Sequence, residues 1–179
     1  MPLLKIFAAF AIIIVAVAGS IVAQAHKQIL GDLTVVHSWS RATAPAQKAG
    51  GVFLQIQNAG SQPDRLIAIE SDRADVASLH ATIRDGDVVK MRPIEGGIEV
   101  PAHGVAVLAP GGKHVMLIGL REQLVEDTTF PLTLIFERAG RFEIIAIVES
   151  AGARGPTGAP TPAADTDHNH HDMKEQPAK

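Results

Sequence analysis

The chain has 179 residues, with 16 Lys and Arg against 19 Asp and Glu, eight histidines, four methionines and no cysteine. This mildly acidic balance excludes the basic face that nucleic-acid binding requires. Without cysteine there are no disulfides, so stability must come from packing, and any soft-metal chemistry must use thioether and imidazole.

The chain opens with Lys5 and an apolar stretch over 6–22, followed by Ala23-Gln24-Ala25. This is the form of a secretory signal peptide ending in a small-x-small cleavage site. Residues 1–25 are therefore expected to be removed, placing the mature protein in the periplasm with no stable membrane insertion. If the leader were retained, its length would approach the roughly 20 residues that cross a bilayer and would anchor the protein to the membrane.

Residues 26–150 are expected to form one domain. Short alternating or apolar runs at 33–37, 52–57, 65–70, 105–108, 115–117, 132–136 and 142–148 read as strands. Asn58-Ala59-Gly60, Asp85-Gly86-Asp87, Gly96-Gly97 and Pro110-Gly111-Gly112 supply turns between them. Ala139-Gly140-Arg141 reads as a hairpin connection, and 75–79 as a short helical turn. The pattern predicts an all-β Greek-key sandwich or barrel. From Ala151 the composition turns to Ala, Gly, Pro, Thr, Asp and His, with no periodic apolar face. Residues 151–179 are accordingly expected to be a flexible tail, because they offer too little burial to offset ordering entropy.

The chemistry-bearing residues are sparse. In His114-Val115-Met116, strand geometry would put an imidazole and a thioether on one face and the valine on the other. His80 and Met91 flank the Asp85-Gly86-Asp87 turn, so a hairpin there would bring Met91 back beside His80. Each residue also has an ordinary reading: His80 as a strand-end histidine, Met91 as a packing methionine, and His-x-Met as a chance pair. His103, between Pro101-Ala102 and Gly104, reads as an exposed turn histidine rather than a ligand. Trp39 and Arg41 read as packing and ion-pair residues. No Gly-x-Ser-x-Gly, His-Glu-x-x-His or phosphate loop is present, so no enzymatic activity is expected.

Taken together, these positions resemble the PCuAC family of periplasmic copper chaperones, whose motif is His, ten residues, Met, about twenty-one residues, His-x-Met. Here ten residues separate His80 from Met91 and 22 separate Met91 from His114. The resemblance spans residues 37–148. It includes Trp39-Ser40-Arg41-Ala42, Asn58-Ala59-Gly60, Met91-Arg92-Pro93, the run from Pro110 through Leu117, and Phe136-Glu137-Arg138-Ala139-Gly140. It implies a cupredoxin-like fold, with His80, Met91, His114 and Met116 as Cu(I) ligands. It also implies delivery to the copper-accepting domain of cytochrome c oxidase or to another periplasmic copper chaperone. There are two departures. Ala81 stands where some relatives carry a further methionine, and the middle spacing is one residue longer than the common form, an insertion expected in the loops over 96–103.

The tail repeats the chemistry in a harder form. His168, His170, His171 and Met173, with Asp165, Asp167 and Asp172 beside them, make a tract suited to Cu(II) and separate from the folded set. Its ordinary reading is a solubilising extension. The alternatives to a chaperone are a periplasmic copper buffer or resistance protein, and a β-sandwich interaction module that binds no metal.

Overall fold

The computed structural model describes residues 27–86 and 88–156. The expected leader cleavage site and the His168 to Met173 tract lie outside these residues. Among the described residues, no helix is long and apolar enough to cross a membrane.

Eleven strands follow one another: β1 (Lys27–Leu30), β2 (Leu33–Arg41), β3 (Ala49–Asn58), β4 (Asp64–Glu70), β5 (Ala74–Asp85), β6 (Val88–Pro93), β7 (Ile98–Val100), β8 (Val105–Leu108), β9 (Lys113–Leu120), β10 (Thr129–Phe136) and β11 (Gly140–Glu149). They hydrogen-bond in the order β6-β5-β9-β3-β2-β11-β10-β4-β7, with β1 on β2 and β8 on β3. The sheet folds over a single core and stays open, an all-β cupredoxin-like arrangement that is not a closed barrel. β11 runs parallel to β2, with Ile147 opposite Trp39, so the last strand returns beside the early ones.

Alternation explains the core. Val52, Leu54 and Ile56 of β3, Val115 and Leu117 of β9, Leu132 and Leu134 of β10, and Ile144, Ala146 and Val148 of β11 all point inward and are buried. Burying one such Val, Leu or Ile side chain fully stabilises the fold by roughly 1.5–3 kcal/mol. The surface ion pairs, such as Arg141 with Glu70, add little. The core therefore does the work that disulfides do in many exported domains.

Two features set up the face opposite the core. The first is a bulge in β2. Val36 pairs with Gln55 and Trp39 with Phe53, so His37 and Ser38 together oppose Leu54 alone. His37 takes a φ of +54° there, and the extra residue turns Trp39 and Arg41 to the outer face beside Phe53. The second is β5, which replaces the helical turn expected at 75–79. Ala74, Ala77 and Leu79 face the core, while Val76, Ser78, His80 and Thr82 face outward. The alternation was hard to read because small alanines occupy inward positions and a valine an outward one.

Candidate metal site

The site lies on the outer face of three adjacent strands, β6, β5 and β9. His80 pairs directly with His114 and Ser78 with Met116 across β5 and β9. On the other side of β5, Thr82 pairs with Met91. Cross-strand partners share a face, as do residues two apart along a strand. His80, Met91, His114 and Met116 therefore all stand on one side of the sheet. Val115, between the two β9 residues, is fully buried in the core, as i and i+2 spacing requires. The expected β5–β6 hairpin is present: Asp85 pairs with Val88, and Gly86 turns with a φ of +59°. The second pair arrives by direct pairing of β9 with β5, because β8 and β9 each pair with β3.

An open cleft of about 530 Å³ runs along this face, lined by Met91, His114 and Met116 together with Thr82, Gly51, Phe53 and Arg41. Its lining contains no carboxylate among the described residues. Nor do three His, Asp or Glu side chains gather anywhere among those residues into a metal-binding group. A metal held here would need the thioethers.

The two imidazoles differ in how they are held. His114 is only 4% exposed, and its ring lies 6.1 Å from that of His80 and 6.3 Å from that of Phe53. Its Nδ1 lies 3.0 Å from the Gly112 carbonyl oxygen. With the proton on Nδ1, the ring donates to that oxygen and leaves the Nε2 lone pair free. The same carbonyl accepts the Thr82 backbone N–H at 3.0 Å. The Gly112 turn is itself closed by the Gly112 N–H donating to Ala109 O and the Ala109 N–H donating to Lys113 O. His80 places Nε2 at 3.1 Å from Ser78 Oγ, while its Nδ1 is buried with no hydrogen-bond partner. His80 does not line the cleft itself, but an imidazole nitrogen left without a partner on the face that carries both thioethers fits a soft metal ligand set.

Burial, with the nearby His114 as a lesser cause, holds the His80 pKa below its ordinary value. The neutral ring is the form that binds metal. The unfolded chain takes up this proton more readily than the folded one. This contribution to stability is present above the unfolded His range of about pH 6.5 and is lost as pH falls below it. Denaturation of the metal-free protein at pH 7.5 and pH 5.5 should show a larger loss for the native sequence than for His80→Gln. Equal losses would show that His80 does not contribute.

Trp39 is 3% exposed and packs against Phe53 with ring centroids 4.8 Å apart. Arg41 lies over the other part of this cluster, its guanidinium carbon 5.9 Å from the Phe53 centroid. Arg41 Nε donates to the Ala153 carbonyl at 2.7 Å, and Ala151 lines the cleft. The chain beyond β11 thus turns back along the rim of the site. His103 is exposed in the turn before β8, where its N–H donates to Gly60 O, far along β3 from the site, as expected for a turn residue. Sequence reasoning missed Phe53, Ser78 and the Gly112 carbonyl. Ser78 and Gly112 each lie two residues before a histidine and could have been found by that spacing, whereas Phe53 becomes a neighbour of His114 only through the β3–β9 register.

The fold is that of a PCuAC-like domain. The copper-bound PCuAC domain from PmoF2 matches with a TM-score of 0.59 and 26% identity, covering 70% of this chain and 98% of that domain. The apo PCuAC domain from PmoF1 matches with a TM-score of 0.59 and 29% identity, covering 70% and 99%. Cu(I)-bound DR1885 from Deinococcus radiodurans, at 24% identity, shares the fold, with a TM-score of 0.53 over 74% of this chain and 85% of that one. Residues 33–148 match the LpqE-like lipoprotein family, and the chain belongs to it. A relative from Leifsonia xyli subsp. xyli (strain CTCB07), "Putative lipoprotein Lxx21020", is 29% identical over 114 residues, spanning 64% of this chain and 68% of its own. The exported, periplasmic placement expected from the leader agrees with these lipoprotein relatives.

Proposed function

We propose that His80, Met91, His114 and Met116 hold one Cu(I) ion as cargo and that the protein carries it to a receiving site in the periplasm. The observation that carries this reading is the register: four soft or borderline donors share one face across three adjacent strands. Thioethers favour Cu(I) over hard ions, and two imidazoles complete the set without adding negative charge. A neutral ligand set holds a monovalent ion and can still yield it to thiolate-containing acceptors. Binding and transfer, with no turnover of a substrate, are the acts proposed.

The receiver is the copper-accepting domain of cytochrome c oxidase or another periplasmic copper chaperone, on the strength of the resemblance in motif. The tail at His168, His170, His171 and Met173 is an accessory Cu(II) collector. A reductant would have to come from outside, since the chain has no dithiol to supply electrons. These 179 residues also offer no cysteine sulfur for lipid attachment.

Anaerobic Cu(I) titration with X-ray absorption tests the site, comparing the full chain with one ending at Pro156. That end point keeps the turn that bonds Arg41, and the core lies wholly before it. One Cu(I) with sulfur and nitrogen neighbours is expected in both proteins. Sulfur scattering that disappears on truncation would move the main site to the tail. Loaded protein that passes no copper to an apo oxidase domain would identify a buffer instead of a chaperone.

A further inference from the structure

β5 and β6 outrun the rest of the sheet. Ala81, opposite Lys113, is the last β5 residue paired with β9, yet β5 and β6 continue together as far as Asp85 and Val88. They form a two-stranded ribbon projecting past the sheet, with Met91 at its root opposite Thr82. Ile83, Val88 and Val89 are exposed on it, and Met91 is 57% exposed. A ribbon of two strands has no core of its own to bury these side chains, so its apolar tip is available to something else.

Cations that meet no carboxylate among the described residues include Lys27, Lys48 and Arg138, but this end of the sheet holds three of them close together. Arg65, Arg73, Arg121 and Arg141 each face a carboxylate. On the ribbon, Lys90 meets Asp85 at 3.0 Å. Arg84, Arg92 and Lys113 meet no carboxylate among the described residues. Arg92 and Lys113 flank Ala81 in one cross-strand row on the side of the ribbon away from Met91, while Arg84, opposite Val89, stands on Met91's side, where the cleft adds Arg41. Uncompensated cations around exposed valine and isoleucine complement an acidic protein surface with an apolar centre. An anionic lipid surface would match the charge but could not accept a soft metal ion from Met91.

We infer that the ribbon formed by the ends of β5 and β6 is the docking surface for an acidic partner protein that takes the copper, a reading that rests on the proposed Cu(I) site. Docking there sets the partner's ligands next to Met91, the most exposed of the four donors, so that exchange begins at that thioether. The positive rim steers the encounter and makes it sensitive to salt.

The test mixes Cu(I)-loaded full-length protein, without oxygen, with the soluble apo copper domain of cytochrome c oxidase as probe and follows the arrival of metal by its spectrum. At low salt, the triple reversal R84E, R92E and K113E should slow transfer about tenfold or more, within the range electrostatic steering spans. Cu(I) affinity should not change. The far-side reversals R65E, R73E and R141E change net charge equally and should leave the rate alone. Equal rates for the two triple variants, or a rate indifferent to salt, overturn the docking surface while leaving the copper site intact. So does a ribbon whose reversals abolish only binding to phosphatidylglycerol vesicles, or only self-association of the protein. Failure to bind Cu(I) at all would instead overturn the site itself, and bound copper that never reaches the probe would overturn delivery and docking together.

Discussion

Replacing Met91 and Met116 together by leucine is expected to abolish retention of Cu(I) while leaving the fold in place. Leucine keeps the volume and apolar character of methionine, and such swaps usually cost less than about 1.5 kcal/mol. Met91 is mostly in solvent and Met116 half-buried, so the packing loss should fall at the low end. The chemical loss is of another order. Two imidazoles alone form a sparse set for a monovalent soft ion. The affinity should fall by more than the roughly 100-fold that outer-shell changes alone can cost. Competition with a chromophoric Cu(I) chelator reads the affinity, and thermal unfolding of the metal-free variant reads the fold. A double variant that keeps its copper and unfolds at the native temperature would remove the thioethers from the site.

Trp39→Ala should produce the largest loss of stability among changes near the cleft, about 3–5 kcal/mol by the usual cost of truncating a buried aromatic. Trp39 is nearly inaccessible, and its ring rests on Phe53, which in turn lies against His114. Removing it opens space behind the one fully buried donor of the set. Against a total stability of about 5–15 kcal/mol for an ordinary domain, the loss is a large fraction. Denaturant unfolding should show the shift, with Trp39→Phe recovering a good part of it. Copper affinity should fall as well, by less than in the double methionine variant. A shift under about 1 kcal/mol would mean that the cluster does not support the cleft.

How much of this could be read beforehand depended on whether a strand has one buried face. The segments within β2, β3, β10 and β11 announced themselves because their inward residues are large and aliphatic. β6 is exposed along its whole length, so it leaves no period to detect. β5 hides its period behind Ala77 and an outward Val76, and its Ala-Ser-Leu stretch looked helical for that reason. β1 buries none of its side chains fully, and β7 has only three residues. The donor residues were legible from residue type and spacing. Adjacency within each pair was legible too, but the meeting of the two pairs was not, because β5 and β9 lie far apart in sequence and a local pattern does not encode which strand will be its neighbour. The Phe53 backing of His114 needed one pairing more, that of β3 with β9.

The carbonyl of Gly112 ties two quantities together that are separate in most metal sites. It accepts both the Thr82 backbone N–H, which fixes β5 against the turn before β9, and the Nδ1 proton that orients the His114 ring. The aim of the imidazole is therefore geared to the alignment of two strands. A slip of one residue would turn His80, the donor on β5, to the opposite side of the sheet and would free the ring in the same movement. Loss of metal-binding geometry and loss of pairing at this edge are one event, and an intact edge arrives with its buried ring already set.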